Sequence, residues 1–250
     1  MEVHHHPKVE KKNFREYFLE FLMIFLAVTL GFFAENIRER LVNNEKEKAY
    51  MESMIQDLKT DTTTANNVIS EQKYIYTKID SALKIPVEKL KDIEVQDSFY
   101  HFFVYFYSWI ATFNRIDNTI AQLENAGGFS LIHNKPVKDS ITELNSFYEG
   151  EMQGNKSIYT SRWQRFDEFA MQLMILPKPP ADIHDPIYEA YPDHIEVFTG
   201  YDTRLLQQLY SFARFQQSDI EINLYDEMRY KLEATNLMAL IKKNYHIENE

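Results

Sequence analysis

The sequence predicts an all-α protein: an N-terminal transmembrane helix followed by an antiparallel helical bundle of about four long helices. Three observations predict it. An uncharged run of 14 residues, Phe21 to Ala34, lies near the start of the chain. Only 6 of the 250 residues are Gly and 8 are Pro, with five of those Pro between Pro177 and Pro192, so helix breakers are scarce elsewhere. Beyond position 50, apolar residues recur at steps of three and four, the period of a helix, and no alternating run is long enough for a sheet.

Residues 1–16 read as a short basic tail and residues 17–36 as the span. Counted from Tyr17 and tolerating Glu20, the apolar stretch reaches 18 residues. At about 1.5 Å per residue this gives roughly 27 Å of helix, close to the hydrocarbon thickness of a bilayer. A soluble core helix would carry a polar stripe, whereas Phe21 to Ala34 is apolar all round. A cleaved signal peptide needs small residues at −3 and −1; a cut after Ala34 would place Phe32 at −3. The segment is therefore expected to remain as an anchor in the bilayer. Lys8, Lys11, Lys12 and Arg15 precede it, while Arg38, Arg40, Lys46 and Lys48 lie beyond it, so charge counting leaves orientation nearly balanced. A short basic tail ahead of a first span usually stays cytoplasmic, which favours an external, periplasmic location for the rest.

Residues 37–250 form the expected helical domain. The four basic and four acidic side chains of residues 1–34 cancel, so the formal charge of −11 belongs to residues 35–250. An acidic domain opposes binding to nucleic acid, which relies on Lys and Arg contacts to phosphate. With no Cys, the chain has no disulfide, thiolate ligand or Cys nucleophile.

In the first domain helix, Met51, Ile55, Leu58, Thr62, Ala65, Ile69, Gln72, Tyr76, Ile79 and Leu83 form one stripe, widened by Met54, Val68, Ile75 and Ala82. The helix is expected to end before Pro86 and to be continuous with the anchor. A second helix is expected from about Asp97 to Asn125, stopping at Gly127-Gly128. Its front part, Ser98 to Asn114, has no formal charge and raises the alternative of a second span. The Tyr hydroxyls, His101, Ser108 and Trp109 favour a buried bundle helix instead.

A third helix starts near Asn134-Lys135-Pro136, an N-cap followed by a first-turn Pro. Its inward residues are Val137, Ile141, Leu144, Phe147, Tyr148, Met152, Trp163, Phe166, Phe169, Leu173 and Met174, with Gly150 and Gly154 marking a kink or a close crossing. A Pro-rich loop spans 177–200. From Asp202 helix returns, with Leu205, Leu206, Leu209, Phe212, Ala213, Phe215, Leu224, Met228, Leu232, Leu237 and Ile241 facing in and a break at Asp219 to Asn223.

Two stretches, "HHHPKVEKKNFREYFLEFLMIFLAVTLGFFAENIRE" and "IDNTIAQLENAGGFSLIHNKPVKDSITELNSFYE", resemble an uncharacterised family of single-pass inner-membrane proteins of Bacteroidetes. The resemblance implies a bacterial inner-membrane protein with an N-terminal anchor and a helical domain. It brings no catalytic residues with it.

Three groups of residues are candidates for chemistry. His4, His5 and His6 offer adjacent imidazoles for a divalent metal, although a tail supplies no fixed geometry and a solvated tail is the simpler reading. In the Pro-rich loop, Asp182, His184, Asp185, Glu189, Asp193, His194 and Glu196 offer nitrogen and oxygen ligands, with His184, Asp185 and His194 the metal candidates. Asp185-Pro186 reads equally as a helix cap. Glu20 is an ionisable group inside the anchor, as in proton-driven motor accessory subunits, yet only about one turn from the end and able to reach the interface. Phosphate-loop, nucleophile-elbow and dinucleotide glycine patterns are absent from the sequence. The expectation is a non-enzymatic protein without cofactor. It would be anchored in the bilayer through 17–36 and act through a protein partner or a second copy, as a scaffold or accessory subunit of an envelope complex. The alternatives are an extracytoplasmic ligand-sensing bundle that signals through a partner, and a proton-motor accessory subunit using Glu20.

Overall fold

The computed structural model describes residues 13–107, 111–125, 127–175 and 197–247, which are all-α with no strand among them. Six α-helices occur in order: α1 (Phe14–Leu83), α2 (Ile93–Tyr107), α3 (Asn118–Asn125), α4 (Lys135–Phe147), α5 (Gln153–Leu173) and α6 (Thr203–Tyr245). The chain divides into two units, Met1–Tyr50 and Met51–Glu250.

In the first unit, α1 is helical from Phe14, and no break separates the apolar run from the residues after it. Phe21, Met23, Ile24, Phe25, Leu26, Val28, Leu30, Phe32 and Phe33 are all exposed. This helix is long and apolar enough to cross a membrane. Thr29, its polar interruption, donates its hydroxyl to the Phe25 carbonyl at 2.7 Å and so hides a polar group within the helix.

In the second unit, α1 buries Met51, Met54, Ile55, Leu58, Ala65, Val68, Ile69, Ile75, Ile79 and Ala82, most of the stripe read from the sequence, while Thr62, Tyr76 and Leu83 of that stripe are half-buried. Its polar contacts with α6 run antiparallel: Lys231 reaches Asn66, Gln72 reaches Glu227, and Tyr76 reaches Glu221. Along the other side of α6, Asn155 reaches Asp226 and Arg162 reaches Asp219, so α5 is antiparallel to α6 as well. Asn134 at the start of α4 bonds Asn244 near the end of α6, in the same running order.

The segment from α4 to α5 is helical throughout, as expected of the third helix, but it carries a π bulge. Tyr148 to Met152 makes one π-helical turn between them. Gly150 lies in this turn, and a Cβ added at Gly150 or Gly154 would meet nothing within 4 Å, so neither marks a close crossing. The cap matches the expected one: Asn134 accepts from the Val137 N–H at 3.1 Å, with Pro136 in the first turn. Of the expected inward residues, Trp163 and Phe169 are only half-buried, while Tyr159 and Ala170 are buried in addition.

Two further expectations are corrected. The helix expected from Asp97 to Asn125 is split into α2 and α3, because Ala111 to Asp117 lies outside any helix. Phe99, Tyr100 and Phe103 of α2 are buried, with Phe99 stacked on Tyr210 and Phe103 against Phe166. The partners of Phe99 and Phe103 lie on α6 and α5, so these rings belong to the core. The break expected at Asp219 to Asn223 does not exist either; α6 is uninterrupted over 43 residues. Asp219 and Asn223 face inward there, and Asp219 and Glu221 bond Arg162 and Tyr76 on neighbouring helices, which removes the reason for a break.

Between α3 and α4, Gly127 adopts φ +64°, a left-handed conformation that favours Gly. A Cβ on Gly128 would come within 2.9 Å of the Leu123 side chain and 3.0 Å of its Cα, so the chain turns back closely over α3. After α5, the Ile175 N–H donates to Val197 and the Thr199 N–H to Leu173, clipping the end of the Pro-rich loop to the helix terminus.

Candidate functional site

The most distinctive chemistry of the second unit is a polar seam inside it. Asp61 and Gln72 of α1 and Gln216, Asp219, Asn223, Asp226 and Glu227 of α6 are all buried. Burying such groups is costly unless each finds a partner. Asp61, Gln72 and Glu227 find partners in the non-helical segment 111–117, whose backbone needs donors and acceptors that no helix supplies, while Asp219 and Asp226 find theirs on α5.

Gln72 donates its Nε2 to the Ala111 carbonyl and to Glu227 Oε1, both at 2.9 Å. Asp61 accepts from the Ile116 N–H at 2.8 Å and from the Tyr230 hydroxyl at 2.6 Å. Asp57 accepts from both the backbone N–H and the hydroxyl of Thr119, which starts α3 on a side-chain cap from another helix. The Arg115 N–H donates to the Tyr148 hydroxyl, and the Arg115 guanidinium lies 4.3 Å from the centre of that ring. The same guanidinium pairs with Asp117 and with Glu149, the latter at 2.8 Å. A non-helical segment, buried at Ala111 and Phe113, is thus held by side chains of α1, α6 and the π turn.

The electrostatics arise from this enclosure. Burial raises the Asp61 carboxyl above its usual range, opposed by the bonds from Tyr230 and Ile116. Asp219 is also raised by burial, against the pull of Arg162. Glu227 is pushed up to about 8 by burial, with Gln72 and the Phe113 backbone amide opposing and the neighbouring Asp226 adding to the rise. Gln72 Oε1 and Glu227 Oε2 are buried without a hydrogen-bond partner, as are Gln216 Oε1 and Asp219 Oδ2. Gln72, Glu227, Asn223 and Asp226 line one small cavity together with Thr112, Phe113, Tyr148, Met152, Gln153 and Lys156. Its free space for a water-sized occupant is about 10 Å³, room for one water and not for an organic substrate.

Two other features lie nearby. A groove of about 700 Å³ between α4 and α6 is lined by Ser140, Glu143, Phe147, Glu151, Arg229, Glu233 and Asn236. There the Arg229 guanidinium stacks 4.0 Å from the Phe147 ring centre and pairs with Glu233 at 2.8 Å. The second feature is the outward face of α6. Phe215, Met228 and Leu232, expected to face in, are exposed, and with Ile222 and Tyr225 they form an apolar stripe. The inward face is claimed instead by Leu206, Leu209, Ala213, Ile220, Ala234, Leu237 and Ile241 with the buried polar residues between them.

Of the candidates read from the sequence, His4, His5, His6, His184, Asp185 and His194 lie outside the described residues, as do Asp182, Glu189, Asp193 and Glu196. Among the described residues, no group of three His, Asp or Glu side chains is arranged to hold a metal ion. Glu20 is half-buried within α1. By sequence alone the seam's own members read as ordinary helix residues, although Gln72 inside an otherwise apolar stripe is a signal. The chain matches no family model, no curated protein and no solved structure, so its functional reading rests on this geometry.

Proposed function

We propose that this is a non-enzymatic, membrane-anchored protein that acts by association, as a scaffold or accessory subunit of a bacterial envelope complex. The domain would be periplasmic and built as an antiparallel four-helix bundle. One observation carries the reading: the exposed apolar stripe on α6, directly opposite its buried face. A bundle helix with a single partner side should be polar on the other. Here Ser211, Phe215, Ser218, Ile222, Tyr225, Arg229, Leu232, Asn236 and Ala239 succeed one another by alternate steps of four and three, the spacing of a helix-pairing seam. The antiparallel order of α1 and α5 along α6 supports the bundle.

Copurification of the full chain from native membranes in mild detergent, with mass spectrometry of the proteins retained, tests it. A near-stoichiometric partner or a second copy is expected, and its loss in the double variant Ile222→Ser, Leu232→Ser while helical circular dichroism is kept. Recovery of the unmodified chain alone overturns the reading.

A ligand-sensing bundle is the second reading, favoured by the α4–α6 groove, whose size lies within the range of small-molecule sites. Thermal stabilisation of the chain by a small molecule, abolished by Arg229→Ala, would select it.

A further inference from the structure

We propose that Glu227 binds a proton that joins it to Gln72 in a reciprocal acid–amide pair, making this contact a pH-sensitive fastening between α1, α6 and the segment 111–117. The two unpartnered oxygens motivate it. Gln72 Nε2 already donates to Glu227 Oε1, and its second hydrogen goes to Ala111, so the amide orientation is fixed by two acceptors. That leaves Gln72 Oε1 and Glu227 Oε2 buried, both acceptors if the acid is ionised, on the wall of one cavity. Two ionised or amide oxygens cannot satisfy each other. A carboxylic acid and a primary amide can, because the acid O–H donates to the amide oxygen while the amide N–H donates to the acid carbonyl. A single proton on Oε2 therefore pairs both orphans at once.

The surroundings favour that proton. From α6 itself Asp226 adds a negative neighbour and Asn223 a neutral one. From α5 come Lys156 and Tyr159; the Lys156 ammonium is bonded to Asn114, and the buried Tyr159 hydroxyl is held in its neutral form by burial beside Asp219 and Glu227. From the π turn comes Tyr148, also held neutral chiefly by burial, and from α1 only the Gln72 amide. The Phe113 backbone amide and Gln72 favour the anion, but burial outweighs them. Ionisation would place a second carboxylate beside Asp226 in buried surroundings and leave Gln72 Oε1 without its donor.

Linkage sets the sign of the pH effect. The folded chain binds this proton more tightly than the unfolded chain, whose Glu titrates near its ordinary value. This contribution to stability is complete below about 4.5, falls as pH rises, and is lost by about 8. The slope is one proton, about tenfold in the unfolding equilibrium per pH unit. The test uses the full chain in detergent. In the infrared difference between pH 6 and pH 9.5, a protonated-carboxyl stretch is expected at the lower pH and is diminished by one carboxyl in Glu227→Gln. Glu227→Gln keeps a donor facing Gln72, so it is expected to fold and to lose about one proton from the pH slope of stability. Absence of the protonated-carboxyl band in the unmodified chain overturns the proposal even if the variant fails to fold. An unchanged pH slope in a folded Glu227→Gln protein overturns it as well.

Discussion

Asp61 shows how much one buried side chain can decide. Its two oxygens answer a backbone N–H from the segment 111–117 and a hydroxyl from α6, so it fastens three parts of the second unit at one point. Asp61→Ala should cost about 2–4 kcal/mol, because the Ile116 N–H and the buried Tyr230 hydroxyl both lose their acceptor. Asp61→Asn retains an acceptor and should cost about half as much, with denaturant unfolding as the measurement; equal losses would show that charge rather than hydrogen bonding matters. Gly127 supplies a contrasting case. At φ +64°, Gly127→Ala is expected to destabilise by about 1 kcal/mol, while Gly154→Ala, in open space on α5, should stabilise by a few tenths to about 1 kcal/mol. Thermal unfolding of the two variants should move in opposite directions.

At the scale of the element, α6 carries most of the organisation. It is started by Asp202, whose carboxylate accepts from the Arg204 and Leu205 N–H groups, and it ends at His246 in the left-handed conformation after Lys242 and Lys243. Asp202→Ala should lower stability by about 1 kcal/mol, read from the thermal midpoint. Its two faces should behave differently. Leu237 is buried and Leu237→Ala should cost about 2–4 kcal/mol, whereas Leu232 is 62% exposed and Leu232→Ser should change stability by less than about 0.5 kcal/mol. A large loss at Leu232 in the isolated chain would mean that this face is already covered and unavailable to a partner. The sequence showed helix returning from about Asp202, with a break at Asp219 to Asn223 that α6 does not have. It did not show which of two apolar stripes faces in, since periodicity alone ranks Phe215, Met228 and Leu232 with Leu206 and Leu237. Polar residues of α6 turn inward because Gln72, Asn155 and Arg162 wait on the facing helices, and no local pattern encodes those partners.

For the whole molecule, three buried carboxyls, Asp61, Asp219 and Glu227, are all raised by burial. Each binds its proton more tightly folded than unfolded, so each contributes stability that declines as pH rises above the ordinary carboxylate range. These three oppose the common pattern of acid denaturation. The triple variant Asp61→Asn, Asp219→Asn, Glu227→Gln should show a weaker fall in stability between about pH 4.5 and 8 than the unmodified chain, measured by denaturant midpoints across that range. An equal or steeper fall would mean that other groups control it.

The all-α class and the long apolar N-terminal helix were determined by the sequence alone, because scarcity of breakers, an uncharged run and a period near 3.6 are local properties of the chain. The buried stripe of α1 and the cap at Asn134 were legible for the same reason. Only the tertiary structure decided that Ala111 to Asp117 leaves the helix. An aromatic stretch reads as helix until Asp61 and Gln72, about forty to fifty-five residues away, offer the backbone there other partners. The pairing of Gln72 with Glu227 across 155 residues was decided there too: a buried acid gains its altered affinity for a proton from enclosure, and enclosure exists only once distant helices have packed.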